Sequence, residues 1–259
     1  MSPKLLVLSF MLLSIPLNEG LANAALSTSD RPQASASGQE SRPSTLQPTR
    51  ISLKFRLPRK GAPNVGVVGG ATRGQCTTGK TPLMALIPSN RLGLTTETHP
   101  TFFLYVPETK ATSAELVLKD IKNKDVYRTK VALTGVPGVV SVKLPQNAPA
   151  LEVDKYYRWY FSMACQPDDR LEDVFVGAWV QRVAPDASLA NSLRRARQRD
   201  LPRLYAENGI WHDSLAALAL LREANPKDTR LAGSWRELLR SVGLNQVSEE
   251  PLVAGRTNR

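Results

Sequence analysis

The run Gly74-Gln75-Cys76-Thr77-Thr78-Gly79-Lys80-Thr81 fits the pattern G-x-x-x-x-G-K-[ST]. In that pattern, backbone N–H groups wrap phosphates while the Lys and the hydroxyl hold the terminal phosphate and Mg²⁺. Taken alone it spells nucleotide hydrolysis. The chemistry also needs a preceding strand and a following long helix, whose N-terminus the phosphates require. Here Pro82 and Pro88 bracket only five apolar residues, too few for such a helix, and no hydrophobic run ending in a Mg²⁺-holding Asp accompanies them. Gly74, Gly79, Lys80 and Thr81 therefore read as a chance match, and no cofactor is expected.

Other reactive groupings are sparse. His99 stands before a Pro-bounded strand and His212 at the start of a helix, and neither has a His, Cys or carboxylate neighbour at ligand spacing apart from Asp213. Both read as structural or solvated, so no metal site is expected. Asp168, Asp169, Glu172 and Asp173 lack the spacing of a calcium loop and read as a solvated turn that orients Arg170. No G-x-S-x-G or H-E-x-x-H occurs, so no catalytic residue is assigned. Tyr156, Tyr157, Trp159, Tyr160 and Phe161 could form a stacking platform for sugars, but on a central strand they read as core.

The only two cysteines are Cys76 and Cys165. Their pairing is expected because the N-terminus looks like an export signal: Lys4, an apolar run from Leu5 to Leu17, then Ala22-Asn23-Ala24 as an A-x-A cleavage site. Two unpaired buried thiols are the alternative. The apolar run falls short of the roughly 20 residues that span a bilayer, and no later stretch approaches that length, so no transmembrane segment is expected after cleavage. Removing residues 1–24 takes one base and one acid, which leaves the net charge at +11. Outside the cytosol such a field favours an anionic partner, an acidic face of an envelope protein or an anionic glycan or lipid, rather than nucleic acid.

Periodicity locates the strands and helices that carry these groups. Residues 25–50 are Ser, Thr, Ala, Pro, Gln and Arg with an isolated Leu46, a composition that favours a disordered linker. From Ile51 to Val183 the pattern is of short strands: Tyr127, Val131 and Leu133 alternate with Arg128 and Lys130, and Val140, Val142 and Leu144 repeat the device. Further strands are expected over Leu83–Ile87, Thr101–Val106, Glu115–Lys119, Tyr156–Ala164 and Val174–Val183. Pro and Gly breaks without intervening helices predict an antiparallel, immunoglobulin-like β-sandwich, with a parallel crossover sheet disfavoured.

After Pro185 the period becomes helical. Leu189, Leu193 and Ala196 form one stripe; Trp211, Leu215 and Leu218 a second; Leu231, Trp235, Leu238, Leu239 and Val242 a third. Arg194, Arg195, Arg197 and Arg199 occupy the rest of the first helix and, with Arg203, form the candidate interaction surface. The expected layout is a signal peptide at 1–24, a linker at 25–50, a β-domain at 51–184, a small helical region at 185–244 and a flexible C-terminus at 245–259, α+β overall.

Several spaced motifs carry a resemblance: Gly61-Ala62-Pro63, Gly69-Gly70-Ala71-Thr72-Arg73-Gly74-x-Cys76, His99-Pro100-Thr101 through Pro107, Tyr157-Arg158-Trp159-Tyr160-Phe161-Ser162, Cys165-x-Pro167-x-Asp169-Arg170 and Tyr205-Ala206-Glu207-Asn208-Gly209-Ile210-Trp211. Together, over about residues 51 to 253, they resemble the cyanobacterial family catalogued as domain of unknown function 928. The resemblance implies an exported protein of a photosynthetic bacterium and carries no activity, cofactor or catalytic residue with it. A fainter likeness joins Tyr205 through Leu215 to one tetratricopeptide-type helix pair, too little for a solenoid. The function expected is that of a non-enzymatic, protein-binding envelope module. The alternatives are a basic binder of anionic glycan or lipid, and a hydrolase built on Asp169 with Glu172 or Asp173.

Overall fold

A computed structural model describes residues 53–59, 61–63, 76–166, 173–253 and 256–257. The signal peptide and linker expected over 1–50 lie outside the described residues, as do Gly74, Asp169 and Glu172.

In chain order the strands are β1 (Thr77–Thr78), β2 (Met84–Ala85), β3 (Leu92–Thr95), β4 (Thr101–Val106), β5 (Glu108–Thr109), β6 (Ser113–Asp120), β7 (Asp125–Ala132), β8 (Gly138–Lys143), β9 (Tyr156–Met163), β10 (Val174–Arg182), β11 (Leu252–Val253) and β12 (Arg256–Thr257). They make a six-stranded sheet in the order β12-β7-β6-β9-β10-β3, a four-stranded sheet in the order β11-β8-β4-β2 and a two-stranded ribbon of β1 with β5. The central pairings are antiparallel, as alternation and short connections require. The β6–β7 hairpin shows why its turn forms: Asp120 Oδ1 accepts from the backbone N–H of Lys122 and of Lys124, both at 2.9 Å. Asn123 takes the left-handed conformation there, at φ 65°, which Asn tolerates well.

Two pairings correct the all-antiparallel expectation. β3 runs parallel to β10, Leu92 opposite Trp179, and β11 runs parallel to β8, Leu252 opposite Val139. Both involve outer strands that reach their partners over a long stretch of chain, so no local pattern announces them.

The two larger sheets enclose one core, with Phe102, Leu104 and Val142 from one meeting Leu116, Leu118, Trp159 and Phe161 from the other. Thr101–Val106 is apolar without alternation because both of its faces are covered. Phe103 and Tyr105, with Val139 of β8, point the opposite way into a second core shared with the helices.

Those helices are α1 (Ala187–Arg195), α2 (Leu201–Glu207), α3 (Trp211–Ala224) and α4 (Thr229–Arg240). Asp186 caps α1 by accepting from Leu189 N at 2.8 Å. Trp211, Leu215 and Leu218 of α3 and Trp235, Leu238 and Leu239 of α4 are buried as their spacing predicts. Gly209 ends α2 at φ +73°, where a Cβ would also lie 3.0 Å from Arg56 O.

Three further expectations are corrected. The first helical stripe does not continue through Arg199: α1 stops at Arg195, Ala196 and Arg197 are extended, and a 3-10 turn over Gln198–Asp200 leads into α2. Pro202 supplies the reason, since it has no N–H to donate inside a helix and fits only in a first turn. The chain around Leu53 and Phe55 joins the helical core instead of the two-sheet core, with Phe55 N donating to Ser241 Oγ at 3.1 Å and Arg56 N to Ala206 O at 3.0 Å. In the C-terminal segment expected to be flexible, Val247 is fully buried and β11 and β12 pair with β8 and β7, one in each sheet.

Candidate interaction surfaces

The cysteines form a disulfide, with Cα atoms 5.2 Å apart. It fastens the β1–β5 ribbon to the chain leaving β9. Lys110 N at 3.2 Å and Thr109 Oγ1 at 2.8 Å both donate to Cys76 O, which fixes the ribbon on the other side. In the segment that follows, Gly79 has φ +104° and Lys80 is exposed. A turn and then β2 come next, with no helix between them.

The five candidate arginines lie on different elements: Arg194 and Arg195 on the last turn of α1, Arg197 in the extended link, Arg199 in the 3-10 turn and Arg203 on α2. Two acids of the same stretch pair with them, Asp200 with Arg197 and Glu207 with Arg203. Arg197 Nε donates to Asp200 Oδ2 at 2.9 Å, and that hydrogen bond, reinforced by the charges of Arg197, Arg199 and Arg203, holds the Asp200 carboxyl below the usual range. Arg203 pairs with Glu207 at 3.2 Å, and Arg194 donates to Asn191. Arg194, Arg195, Arg197 and Arg199 are exposed and Arg203 half-buried. Five guanidinium groups against Asp200 and Glu207 leave the ridge with a net positive charge. Surface pairs of this kind contribute little stability, so the ridge is not explained by folding energy.

A second polar cluster was not legible as such. Trp211, His212, Asp213 and Ser214, the whole first turn of α3, are buried. Trp211 Nε1 donates to Leu86 O and Ser214 Oγ to Pro202 O, both at 2.8 Å. His212 Nδ1 lies 3.2 Å from Thr101 O, its ring edge-on to Phe102, and burial depresses its pKa to about 4. Asp213 accepts from Thr95 Oγ1 at 2.5 Å, Thr96 N at 2.8 Å and Thr96 Oγ1 at 2.5 Å. Its carboxyl is raised to about 6 because the loss of water outweighs these bonds. The cluster rivets α3 to β3 and β4. A neighbouring His and Asp in a helical register gave no signal of this, since their partners come from strands more than 100 residues earlier.

His99 bonds Thr98 Oγ1 and Ala148 O, each at 3.0 Å, which makes it a loop fastener. Among the described residues no group of three or more His, Cys, Asp or Glu side chains gathers in one place, and no helix is long and apolar enough to cross a membrane.

The aromatic run on β9 divides where a core reading was expected for all of it. Tyr157, Trp159 and Phe161 are buried in the two-sheet core, whereas Tyr156 and Tyr160 alternate onto the opposite, outward face and are half-exposed.

The model of the family described as Domain of Unknown Function (DUF928) matches residues 68–252 of the chain. A search of curated proteins finds no match.

Proposed function

Because the chain belongs to the DUF928 family, whose description names no activity, we propose its function from its own geometry: a non-enzymatic binding module that docks an acidic protein partner through Arg194, Arg195, Arg197, Arg199 and Arg203. The observation that carries this reading is the run of Arg194, Arg195, Arg197 and Arg199, all exposed, with the half-buried Arg203 beside them, where Arg197 pairs with Asp200 and Arg203 with Glu207. Like charges crowded on short, exposed elements repel one another, and an acidic partner relieves that repulsion.

The proposal extends to place and architecture. The leader-like N-terminus and the Cys76–Cys165 bridge favour export to the cell envelope, in the periplasm or beyond. An immunoglobulin-like topology is supported by the pairing of β4 with β8 in one sheet and the order β7-β6-β9-β10 in the other, the arrangement of a variable-type sandwich. The bridge then ties the sandwich near one end instead of pinning its two sheets through the middle.

Recovery of partners from envelope extract on the immobilised chain tests the docking role, comparing the wild type with an Arg194→Glu, Arg195→Glu, Arg199→Glu variant. The expected result is at least a tenfold loss of a defined acidic partner in the variant, and a similar loss for the wild type in high salt. Equal recoveries would overturn the reading.

A further inference from the structure

The outward face of the six-stranded sheet lies away from both cores, and β9 lays a regular track across it. Tyr156, Arg158 and Tyr160 occupy alternate positions on that face, all half-exposed, over a length of about 13 Å at the usual strand rise. The order is aromatic, cation, aromatic. Arg158 is held in place: its guanidinium carbon sits 4.4 Å from the centroid of the Trp179 ring, and Nη1 donates to Tyr160 Oη at 2.9 Å. A guanidinium held over an indole and hydrogen-bonded at one end has already lost much of the side-chain freedom that binding would otherwise remove.

The charges beside the track are positive in excess. Lys119 stands directly across from Arg158 on β6, and Lys130 and Arg128 follow on β7. Among the described residues the acids on this face are Glu115 and Asp125; Arg128 bonds both at 2.7 Å, and Lys119 also pairs with Asp125. Among the described residues four cations stand against two carboxylates on this face, an excess of positive charge.

Tyrosine rings present an apolar face and a polar rim, which suits the flat, C–H-lined faces and hydroxyl edges of sugar rings. A cation fixed between two such rings suits a carboxylate or sulfate carried by the sugar. We infer that this face binds an extended acidic polysaccharide, with Tyr156 and Tyr160 stacking on successive parts of the chain and Arg158 and Lys119 meeting its anionic groups. A single-stranded nucleic acid would use the same stacking and charge. The leader-like N-terminus and the disulfide favour the glycan. The track shares no residue with the arginine ridge and adds aromatic rings that the ridge lacks.

Binding of the full chain to polygalacturonate and to dextran sulfate, with neutral dextran and oligothymidylate as comparators, tests the inference. The expected result is binding to at least one acidic polysaccharide, little to dextran, and a loss of tenfold or more in Tyr156→Ala and in Tyr160→Ala. Tyr156→Ala lies outside the Arg158–Tyr160 bond, and matching thermal denaturation curves would show that the variant is folded. Arg194→Ala with Arg195→Ala should leave glycan binding unchanged, so failure of this site and failure of the ridge are told apart. Absence of binding to both acidic polymers, retention in both tyrosine variants, loss in the ridge variant, or tighter binding of oligothymidylate would each overturn it.

Discussion

Gly93 and His212 share one space: a Cβ built on Gly93 would lie 2.3 Å from His212 Nε2. The glycine of β3 is therefore the socket into which the first turn of α3 seats its imidazole, and the helix can lie against the strand only because that side chain is missing. Ile87 Cδ1, at 2.8 Å from the same point, closes the other side.

Gly93→Ala is expected to destabilise the fold by about 2–3 kcal/mol, because the buried ring has nowhere to go and overpacking of this kind forces strain. Gly233→Ala is the contrast. It lies inside α4 with only Arg236 Nη2 near, at 4.0 Å, and should stabilise by about 0.5–1 kcal/mol through helix propensity. Urea denaturation of both variants checks the pair, and equal shifts would contradict the socket.

His212 and Asp213 should give opposite pH dependences that largely hide one another. The histidine is depressed to about 4 from 6.5, so its contribution is present above pH 6.5 and is lost as pH falls through about 4. The aspartate is raised to about 6 from 3.8, so its contribution is present below pH 3.8 and is lost as pH rises through about 6. Asp213→Asn removes the second effect alone. Relative to wild type, that variant should lose about 3 kcal/mol of stability between pH 6.5 and pH 4, at 1.36 kcal/mol per pKa unit. Denaturation midpoints across that range measure it, and parallel curves for the two proteins would refute it.

The disulfide closes a long loop, with a sequence separation of 89. In the chain-entropy account such a closure contributes about 4 kcal/mol. Replacing both cysteines by Ala should lower stability by about that amount, and reductant should lower the wild type to match. A denaturation midpoint that reductant leaves unmoved would exclude the bridge as a stabilising element.

Truncation after Glu250 should cost about 2–3 kcal/mol. Leu252 packs against the helical core and its neighbour Val253 against the two-sheet core, while Pro251 O accepts from Val139 N at 2.7 Å. The truncated chain should also self-associate, because the edge of β8 is then bare. Urea titration and sedimentation velocity read the two effects, and a stable monomer would show the tail to be dispensable.

The sequence makes some of this legible and conceals the rest for physical reasons. Tyr127, Arg128, Lys130 and Val131 alternate because one face of β7 meets the core and the other meets water, and that contrast is written locally. The stripes of α3 and α4 are written in the same way. Strand β3 was not read, since Leu-Gly-Leu-Thr is short, carries a glycine and pairs with a strand more than 80 residues later. The two-sided role of β4 was present in its unbroken apolar run, which signals cover on both faces, and Pro202 marked the restart of the helix. Asp213 gave no such sign, because a buried carboxylate depends on donors that only the folded chain supplies. The arginines follow from the helical period as the polar side of the first stripe, but the pairing of Arg197 with Asp200 follows from a break in the helix that an unbroken stripe would not produce.

The middle sheet has no idle side. If the chain ended at residue 184, Phe103, Tyr105, Leu86 and Val139 would turn from a shared interior into an adhesive exterior. Strands and helices therefore stand as one folding unit. A β-framework cut free of its helical lid would carry that bare face into solvent, and the arginine ridge would leave with the lid.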